Sequence, residues 1–248
     1  MMTDMFDIEV TCPLCWQGST VKSEIEGNGF PKYQVCSGCS ARAIATWIRR
    51  INATGPEYER FTFEQYEISG SMGKKVAACK AFAERKVDQY GLWLFSEQPG
   101  NGKTHLAIAT LKHWLTQLKI LSFENGFLLT PFEITSEPDL LLKIRSTFKP
   151  DSTTDEQDIL DIYQQTDFLV LDDIGKYAVS DLSFMQRVIF SIIDYRYTRH
   201  KLTVITTNKN GASLQQYLGA YTFDRICGMT GNKMIEVVGE SYRQRKGK

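Results

Sequence analysis

Short apolar runs alternate with amphipathic stretches along most of this 248-residue chain. Three of the runs, at 92–95, 168–171 and 202–206, have the length and composition of buried strands. Apolar residues recur every three to four positions over 104–115 and 138–149, which predicts helices there. Strands that alternate with helices predict an α/β domain with a parallel central sheet.

A glycine-containing loop follows the first apolar run and ends where a helical pattern begins. Its residues are Pro99, Gly100, Asn101, Gly102, Lys103, Thr104 and His105. Strand, loop and helix in this order are the context of a phosphate-binding P-loop, so we expect these seven residues to bind ATP or ADP. Backbone N–H groups around Gly100 and Gly102 would cradle the phosphates. Lys103 would reach the β- and γ-phosphates, and the Thr104 hydroxyl would hold Mg²⁺.

One position departs from the usual P-loop pattern, which has glycine six residues before the lysine. This chain has Glu97 there. A Gly-Lys-Thr sequence alone is a weak signal, and a chance match is the alternative. An acid beside the phosphate loop also suggests weak nucleotide affinity.

Polar residues at the ends of the other two predicted strands strengthen the nucleotide hypothesis. Asp172 and Asp173 follow the second apolar run, and Asn208 follows the third. Ligands bind at the carboxyl ends of strands in open α/β sheets. We therefore expect Asp172 to hold Mg²⁺ and Asp173 to act as the base or to position water. Asn208 is expected to sense the γ-phosphate. Helix caps or an Asn-containing turn are the simpler alternatives.

Four cysteines near the start of the chain form two Cys-x-x-Cys pairs separated by twenty residues. They are Cys12, Cys15, Cys36 and Cys39. This spacing is typical of a zinc ribbon with a structural Zn²⁺. A hairpin is expected to turn at 27–29, and Gly38 in the second Cys-x-x-Cys turn can adopt the positive φ that such turns often require. Two disulfides or free buried thiols are the alternatives. A helix over 42–52 would close this module.

Charge and hydropathy narrow the range of functions. The chain has 29 Lys and Arg and 29 Asp and Glu, so nucleic-acid binding would require a local basic patch. No apolar run reaches the roughly 18 residues that span a membrane. The N-terminus lacks the basic and apolar regions of a signal peptide. We expect a cytoplasmic protein with no membrane partner.

The order of these motifs resembles the AAA+ ATPases of the DnaC/DnaI and IstB group, bacterial and phage helicase loaders and transposition ATPases. The resemblance covers roughly residues 60–248. It is carried by 99–107, 169–175, Ile193-Asp194-Tyr195-Arg196-Tyr197, 206–208, Phe223-Asp224-Arg225-Ile226 and 239–243. The resemblance implies a three-layer P-loop AAA+ domain. Only forty residues follow Asn208, so the lid is expected to be reduced.

The resemblance also implies roles for three further residues. Asn208 is similar to the family's sensor 1, and Arg225 to the arginine finger that enters a neighbouring subunit's site. Arg243 is similar to a sensor 2 arginine that contacts the nucleotide. Without the resemblance, a surface ion pair would be the better interpretation of Arg225.

The segment 138–149 carries Lys143, Arg145 and Lys149 beside its apolar positions. In the group that the chain resembles, an extra helix here grips single-stranded DNA. A core helix with a solvated basic face is an equally good interpretation.

These observations lead to one hypothesis for the whole chain and to two alternatives. We expect a zinc-ribbon module and helix at 1–52, a linker and helix at 53–88, and the AAA+ ATPase domain at 89–248. The resemblance implies an ATP-dependent loader that binds a hexameric replicative helicase and single-stranded DNA and assembles into an ATP-dependent oligomer. An IstB-like transposition ATPase is the first alternative. A helicase-binding protein with vestigial hydrolysis is the second.

Overall fold

The computed structural model describes the chain except for residues 1–6, 12–17, 23, 26–30, 35–36, 68–69, 119, 125–126, 129, 177–181, 240 and 243–248. The chain divides into two compact units. One comprises residues 1–60 and 112–131, and the other comprises residues 61–111 and 132–248. The domain boundaries expected near residues 52 and 88 stay a prediction.

The helices and strands of the described ranges follow in chain order. They are β1 (Asp7–Thr11), β2 (Gly18–Lys22), β3 (Glu24–Ile25), β4 (Pro31–Gln34), α1 (Ser37–Thr54), a 3₁₀ turn (Tyr58–Arg60), α2 (Met72–Ala83), β5 (Gly91–Phe95), α3 (Lys103–Gln117), β6 (Ile120–Glu124), β7 (Phe127–Leu128), β8 (Phe132–Ser136), α4 (Glu137–Ser146), α5 (Glu156–Gln165), β9 (Phe168–Ile174), α6 (Leu182–Thr198), β10 (Leu202–Thr207), α7 (Gly211–Leu218), α8 (Ala220–Thr230) and β11 (Met234–Glu236). None of these helices combines the length and the apolar composition needed to cross a membrane.

The larger unit is built on a parallel five-stranded sheet with the strand order β11-β5-β10-β9-β8. In this register Thr206 of β10 lies opposite Leu94 of β5, and Asp172 of β9 lies opposite Ser136 of β8. Parallel strands end at the same edge, so the carboxyl ends of β5, β9 and β10 meet there. The predicted α/β fold with a parallel sheet is confirmed.

Helices cover both faces of this sheet, because alternate side chains of a strand point to opposite faces. On one face, Phe168 contacts Phe82 of α2 with 6.2 Å between ring centroids. On the other face, Leu169 and Leu171 belong to a hydrophobic core shared with α4, α5, α6, α7 and α8. The expected three layers are therefore present.

Local hydrogen bonds define where two of the helices begin. The Ser136 hydroxyl accepts from the backbone N–H of Asp139 at the start of α4. Asp155 and Asp158 form a capping box at the start of α5, each side chain accepting from the other's backbone N–H. The helix predicted over 138–149 is α4, which ends at Ser146.

The chain beyond Asn208 completes the sheet and one of its covering layers. Helices α7 and α8 contribute Leu214, Leu218, Ile226 and Met229 to the core, and β11 pairs with β5. Most of the forty residues are used in this way, and no separate helical lid forms among those the structure describes.

The smaller unit contains two antiparallel sheets and α1. Strands β1 and β2 pair with each other, and the second sheet has the order β3-β4-β6-β7. Ile25 lies opposite Pro31, so the expected hairpin has its paired strands, although the turn at 27–29 lies outside the described residues. The pairing of β4 with β6 joins segments that are far apart in the sequence.

Helix α1 differs from its prediction. It begins at Ser37, so Gly38 lies in the helix and does not use the positive φ that a Cys-x-x-Cys turn often requires. The buried face explains the earlier start, since Cys39, Ala43, Trp47 and Ile51 recur every four residues. The apolar stripe therefore extends one turn beyond the predicted helix.

The zinc prediction falls largely outside the part of the chain that the structure describes. Cys12, Cys15 and Cys36 lie outside the described residues. Cys39 is fully buried on α1, and its sulfur accepts a hydrogen bond from Arg42 Nη2 at 3.1 Å. Among the described residues, no three His, Cys, Asp or Glu side chains form a metal site. The zinc ribbon stays a prediction.

Candidate functional site

The phosphate loop connects β5 to α3 and requires glycine at two positions. Gly100 has φ +82° and Gly102 has φ +97°, in the left-handed region that side chains disfavour. A Cβ at Gly102 would also lie 2.8 Å from the Tyr66 ring. The φ of Glu97 lies outside the left-handed region, and its side chain is exposed. The backbone at Glu97 thus does not require glycine, which explains how the usual pattern is broken without strain.

Asn101 holds the loop from the inside. Its side chain is buried, and Nδ2 donates to Ser96 Oγ and, at 3.0 Å, to the Val237 carbonyl. The backbone N–H of Tyr242 donates to the Gly100 carbonyl at 2.9 Å. The side chain of Asn101 therefore supports the loop, and any contact of Asn101 with a phosphate would come from its backbone.

Lys103 and Asn208 are brought together from positions 105 residues apart. Lys103 Nζ donates to Asn208 Oδ1 at 2.5 Å and to the Gln98 carbonyl at 3.4 Å. Lys103 opens α3, and Asn208 follows β10 at the same edge of the sheet. The structure therefore joins the predicted phosphate-binding lysine to the predicted sensor.

Thr104 and the paired carboxylates form the second part of the site. The Thr104 hydroxyl lies 3.0 Å from each oxygen of Asp172. Thr206 Oγ1 donates to Asp172 Oδ1 at 2.6 Å and accepts from the backbone N–H of Asp173 at 2.8 Å. Burial raises the pKa of Asp172, and the charge of Asp173 adds to the shift. Hydrogen bonds from Thr206 and Thr104 and the charge of Lys103 oppose it.

Asp173 differs from Asp172 in its backbone conformation and its side-chain partner. It has φ +56°, uncommon outside glycine, and its carboxylate accepts from Lys176 Nζ at 2.9 Å. Strained conformations of this kind cluster at functional sites. The contacts separate the two acids into a magnesium candidate next to Thr104 and a catalytic candidate next to Lys176.

His105 faces the segment that precedes α2. Its Nε2 lies 2.8 Å from the Thr62 carbonyl, and its ring stacks on Phe61 at 4.6 Å between centroids. Tyr66 contacts the same ring edge-on at 5.1 Å. These contacts place an aromatic segment next to the first turn of α3.

Arg225 lies on α8 and has partners within its own chain. Its Nε donates to Asp194 at 2.9 Å, and its guanidinium lies 4.7 Å from the centroid of the Tyr197 ring. The hydrogen bond with Asp194 raises the pKa of Arg225. The ion pair foreseen as the simpler alternative is thus present, and the role of Arg225 in a neighbouring site stays a prediction. Arg243 lies outside the described residues.

Arg196, in the same motif as Asp194, is fully buried. Its Nε donates to Thr203 Oγ1 at 2.8 Å, and the rest of its guanidinium donates to backbone carbonyls. They are those of Tyr163, Gln164, Thr166 and Leu202. Complete burial lowers the pKa of Arg196 to about 9. Arg196 therefore joins α6, the end of α5 and the start of β10.

Helix α4 presents fewer bases than the sequence suggests. Lys143 Nζ donates to the Tyr163 hydroxyl at 2.8 Å, which directs it toward α5. Arg145 lies over the ring of Phe184 at 5.5 Å, and Lys149 is exposed beyond the end of the helix. Phe148 is one of the apolar positions of the helix predicted over 138–149, but it is 59% exposed, because α4 ends before it.

Sequence reasoning missed two residues that organise the site. Thr206 connects the Asp172 carboxylate to the backbone N–H of Asp173, but a threonine within a strand carries no signal of its own. Glu137 is fully buried, accepts from the backbone N–H of Gly175 at 2.6 Å and from the Tyr217 hydroxyl, and ties α4 to the loop that follows Asp173. Burial raises the pKa of Glu137. An acid at the start of a helix looks like an ordinary cap in the sequence.

The donor set fits a nucleotide with Mg²⁺. A hydroxyl and a carboxylate, the oxygen ligands that Mg²⁺ prefers, are adjacent at Thr104 and Asp172. The loop before them leads into the positive end of α3, and Lys103 adds a cation there. Asp173 and Asn208 flank the same place.

Comparisons with known proteins agree with this geometry. A family model described as IstB-like ATP binding protein matches residues 58–248. The replicative helicase loader DnaC of Escherichia coli (strain K12) is 28% identical over 202 residues, which are 79% of this chain and 76% of that protein. The DnaC of Buchnera aphidicola subsp. Schizaphis graminum is 28% identical over 189 residues, 75% of this chain and 71% of that protein.

Two solved structures share the fold. The crystal structure of the DnaC helicase loader has 24% sequence identity and a TM-score of 0.60, covering 74% of this chain and 100% of that chain. The crystal structure of DnaI has 19% identity and a TM-score of 0.56, covering 75% and 93%. The family model spans more than half of the chain, including the phosphate loop, both carboxylates and Asn208. The chain therefore belongs to the family of IstB-like ATP-binding proteins.

Proposed function

We propose that this protein is an ATP-dependent loader that places a hexameric replicative helicase on single-stranded DNA. The observation that carries the proposal is the convergence of Lys103, Thr104, Asp172 and Asn208 at one edge of the sheet. Two relatives that match this region over most of the chain are named replicative helicase loaders. The same relatives favour loading over the IstB-like alternative, transposition.

The site residues divide the work of ATP hydrolysis. Lys103 binds the β- and γ-phosphates, and Thr104 and Asp172 hold Mg²⁺, which neutralises charge on the phosphate oxygens. Asp173 positions the attacking water and accepts its proton. Asn208, already bonded to Lys103, orients that water. Arg243 follows Tyr242, whose backbone bonds the phosphate loop, and this supports a contact of Arg243 with the nucleotide.

Arg225 would act in a second subunit. The guanidinium of a neighbour would neutralise charge that develops on the γ-phosphate, so hydrolysis would require an ATP-dependent oligomer. The partial exposure of Arg225, 35% of its side chain, supports this role.

Single-stranded DNA would bind where an exposed ring just beyond α4 and a half-buried ring of α6 lie beside arginines. Phe148 and Phe184 pack edge-on with 5.9 Å between centroids. Arg145 and Arg187 lie over the Phe184 ring at 5.5 and 5.3 Å. Exposed rings stack on bases, and nearby cations attract the backbone phosphates. A neutral chain needs such a local patch.

The DNA surface can be tested with two variants of similar exposure. Phe148→Ala should weaken binding of a fluorescent oligothymidylate about 5- to 100-fold, the value of one stacked base. Leu142→Ala, which removes a 60% exposed residue from α4 six positions earlier, should change it less than twofold. Equal affinities for both variants and the wild type would place the DNA elsewhere.

The N-terminal module would bind Zn²⁺ through Cys12, Cys15, Cys36 and Cys39 and would contact the helicase. Its support is the spacing of the cysteines. Metal analysis should find one zinc per chain in the wild type and none in Cys15→Ser. A metal-free wild-type protein that binds helicase normally would exclude this site.

Helicase loading is tested directly by a pull-down with the hexameric helicase, with and without ATP. Binding that increases with ATP, and helicase transfer to single-stranded DNA that fails with Lys103→Ala, is the expected result. No interaction in either condition would contradict the proposal. If Lys103→Ala binds helicase and turns over ATP at the same background rate as the wild type, vestigial hydrolysis would be the better description.

A further inference from the structure

The motif Ile193-Asp194-Tyr195-Arg196-Tyr197 has no place in the nucleotide site described above. On α6 its residues divide between the interior and the surface. Ile193 and Arg196 are fully buried, whereas Asp194 and Tyr197 both contact Arg225 of α8. Residues three apart lie on the same face of a helix, so one turn of α6 supplies both contacts.

The two contacts hold different parts of the arginine. Asp194 accepts from Nε, the nitrogen nearest the aliphatic stem, and the Tyr197 ring supports the guanidinium at 4.7 Å. Asp224, 76% exposed, lies 3.6 Å from Nη1, beyond ordinary hydrogen-bond distance. Asp194 and Tyr197 therefore support the arginine along one side, and we call these two residues the brace. The Arg225 side chain remains 35% exposed.

Gly228 provides the space that this brace needs. It lies three residues beyond Arg225 on α8, and a Cβ there would be 2.7 Å from Cε2 of Tyr197. Its φ is helical, so the backbone does not require glycine. The missing side chain is what lets the Tyr197 ring lie against α8.

We infer that Asp194 and Tyr197 are positioning residues that hold Arg225 extended for the active site of a neighbouring subunit. The inference rests on the proposed role of Arg225 in that site. An unbraced arginine samples many rotamers and loses that freedom when it meets the phosphate. The brace removes most of this entropy before the subunits meet. The buried neighbours Ile193 and Arg196 anchor the turn that carries it.

The test compares ATP turnover of Arg225→Ala, Asp194→Asn, Tyr197→Leu and Gly228→Ala, alone and mixed with Lys103→Ala subunits. Each of the last three variants should lose roughly 10- to 100-fold in kcat with little change in KM, because their own phosphate loops are intact. Lys103→Ala subunits should restore turnover, since they carry a braced Arg225 and lack only their own site. Tyr195→Leu, in the same motif but in contact with Arg199, should remain within twofold of the wild type.

The outcomes separate the inference from the proposal beneath it. If Arg225→Ala is fully active, the neighbouring-site role fails and the inference fails with it. If Arg225→Ala is impaired and rescued while Asp194→Asn and Tyr197→Leu turn over like the wild type, Arg225 keeps its role and the brace is refuted. If those two variants are impaired and Lys103→Ala does not rescue them, the loss lies within their own subunit, and the brace is again refuted.

Discussion

At the scale of residues, the site depends on a few groups whose environment sets their chemistry. Asp172 is half-buried between two hydroxyl donors, which suits a metal ligand, whereas Asp173 has a left-handed φ and pairs with Lys176. Neighbouring acids can therefore have separate roles. Glu97 is unusual for its position in a phosphate loop, but the backbone tolerates it because its φ is ordinary.

The raised pKa of Asp172 predicts a pH-dependent stability in the absence of Mg²⁺ and nucleotide. Below about pH 4 both the folded and unfolded chains carry the proton, and the shift has no cost. As the pH rises through the folded pKa, the folded chain gives up a proton that it holds more tightly, so its stability falls. Asp172→Asn should therefore be more stable than the wild type at pH 7, with a difference that disappears near pH 4. Urea unfolding across this range measures it, and a difference independent of pH would show that Asp172 is not the cause.

Glu97 predicts a salt-dependent effect on nucleotide affinity. Removing its exposed charge with Glu97→Gln should tighten ATP binding about 2- to 5-fold at low ionic strength, because the carboxylate repels the phosphates through water. The gain in ATP affinity should fade in roughly 0.5 M salt. Glu97→Gly should raise the affinity no more than Glu97→Gln does.

A matched control for Glu97 is Asp88→Asn, which removes an exposed charge about 17 Å away at the other end of β5. Titration with a fluorescent ATP analogue should show little change for Asp88→Asn. A larger gain for Glu97→Gly than for Glu97→Gln would instead assign the effect to the backbone.

At the scale of elements, the strand ends assemble the site and the buried polar groups hold the helices to them. Glu137 ties the start of α4 to the loop after β9, so the proposed DNA-binding helix and the carboxylates share one hydrogen-bonded connection. Arg196 does the same for α6, α5 and β10. Such groups are costly to bury unless all their partners are in place.

Arg196→Met is expected to destabilise the protein by about 2–4 kcal/mol, since it leaves buried carbonyls without donors. Arg196→Lys should lose less stability, because its ammonium can still donate to some of these carbonyls. The exposed Arg199→Met should stay within about 0.5 kcal/mol of the wild type. Urea denaturation measures all three, and an Arg196→Met variant as stable as Arg199→Met would show that the network contributes nothing.

At the scale of the whole molecule, residues 1–60 and the segment 112–131, which we call the insertion because it interrupts the sequence of the larger unit, belong to one unit. Strand β4 pairs with β6, so the edge of β6 is covered by a segment nearly ninety residues earlier. An uncovered strand edge promotes aggregation. The insertion and the N-terminal module therefore depend on each other.

Truncation to residues 61–248 should leave β6 without β4 and produce aggregates on size-exclusion chromatography. Replacing 120–128 in the same truncation by a short Gly/Ser linker should restore a soluble species, because the uncovered edge is gone. The full-length chain with the same replacement is the control. A soluble, monomeric 61–248 would contradict this dependence.

The sequence alone predicted the α/β class, the phosphate loop, the paired acids and Asn208, because each is local. Apolar runs define strands, and polar residues directly after them must meet when parallel strands end at one edge. The prediction from the sequence failed at the ends of two helices. The helix α1 starts one turn early because Cys39 continues a buried stripe, and Phe148 is exposed because α4 stops before it.

Tertiary structure alone decided the contacts between residues distant in the chain. Three such contacts join elements that no short-range pattern relates: Thr206 with the Asp172 carboxylate, Glu137 with Gly175, and Asp194 with Arg225. A threonine in a strand or an acid on a helix has many possible partners, and only the packing of the sheet and its helices selects one. For this reason the sequence could predict which residues meet at the candidate site, whereas the residues that hold them in place could not be predicted from it.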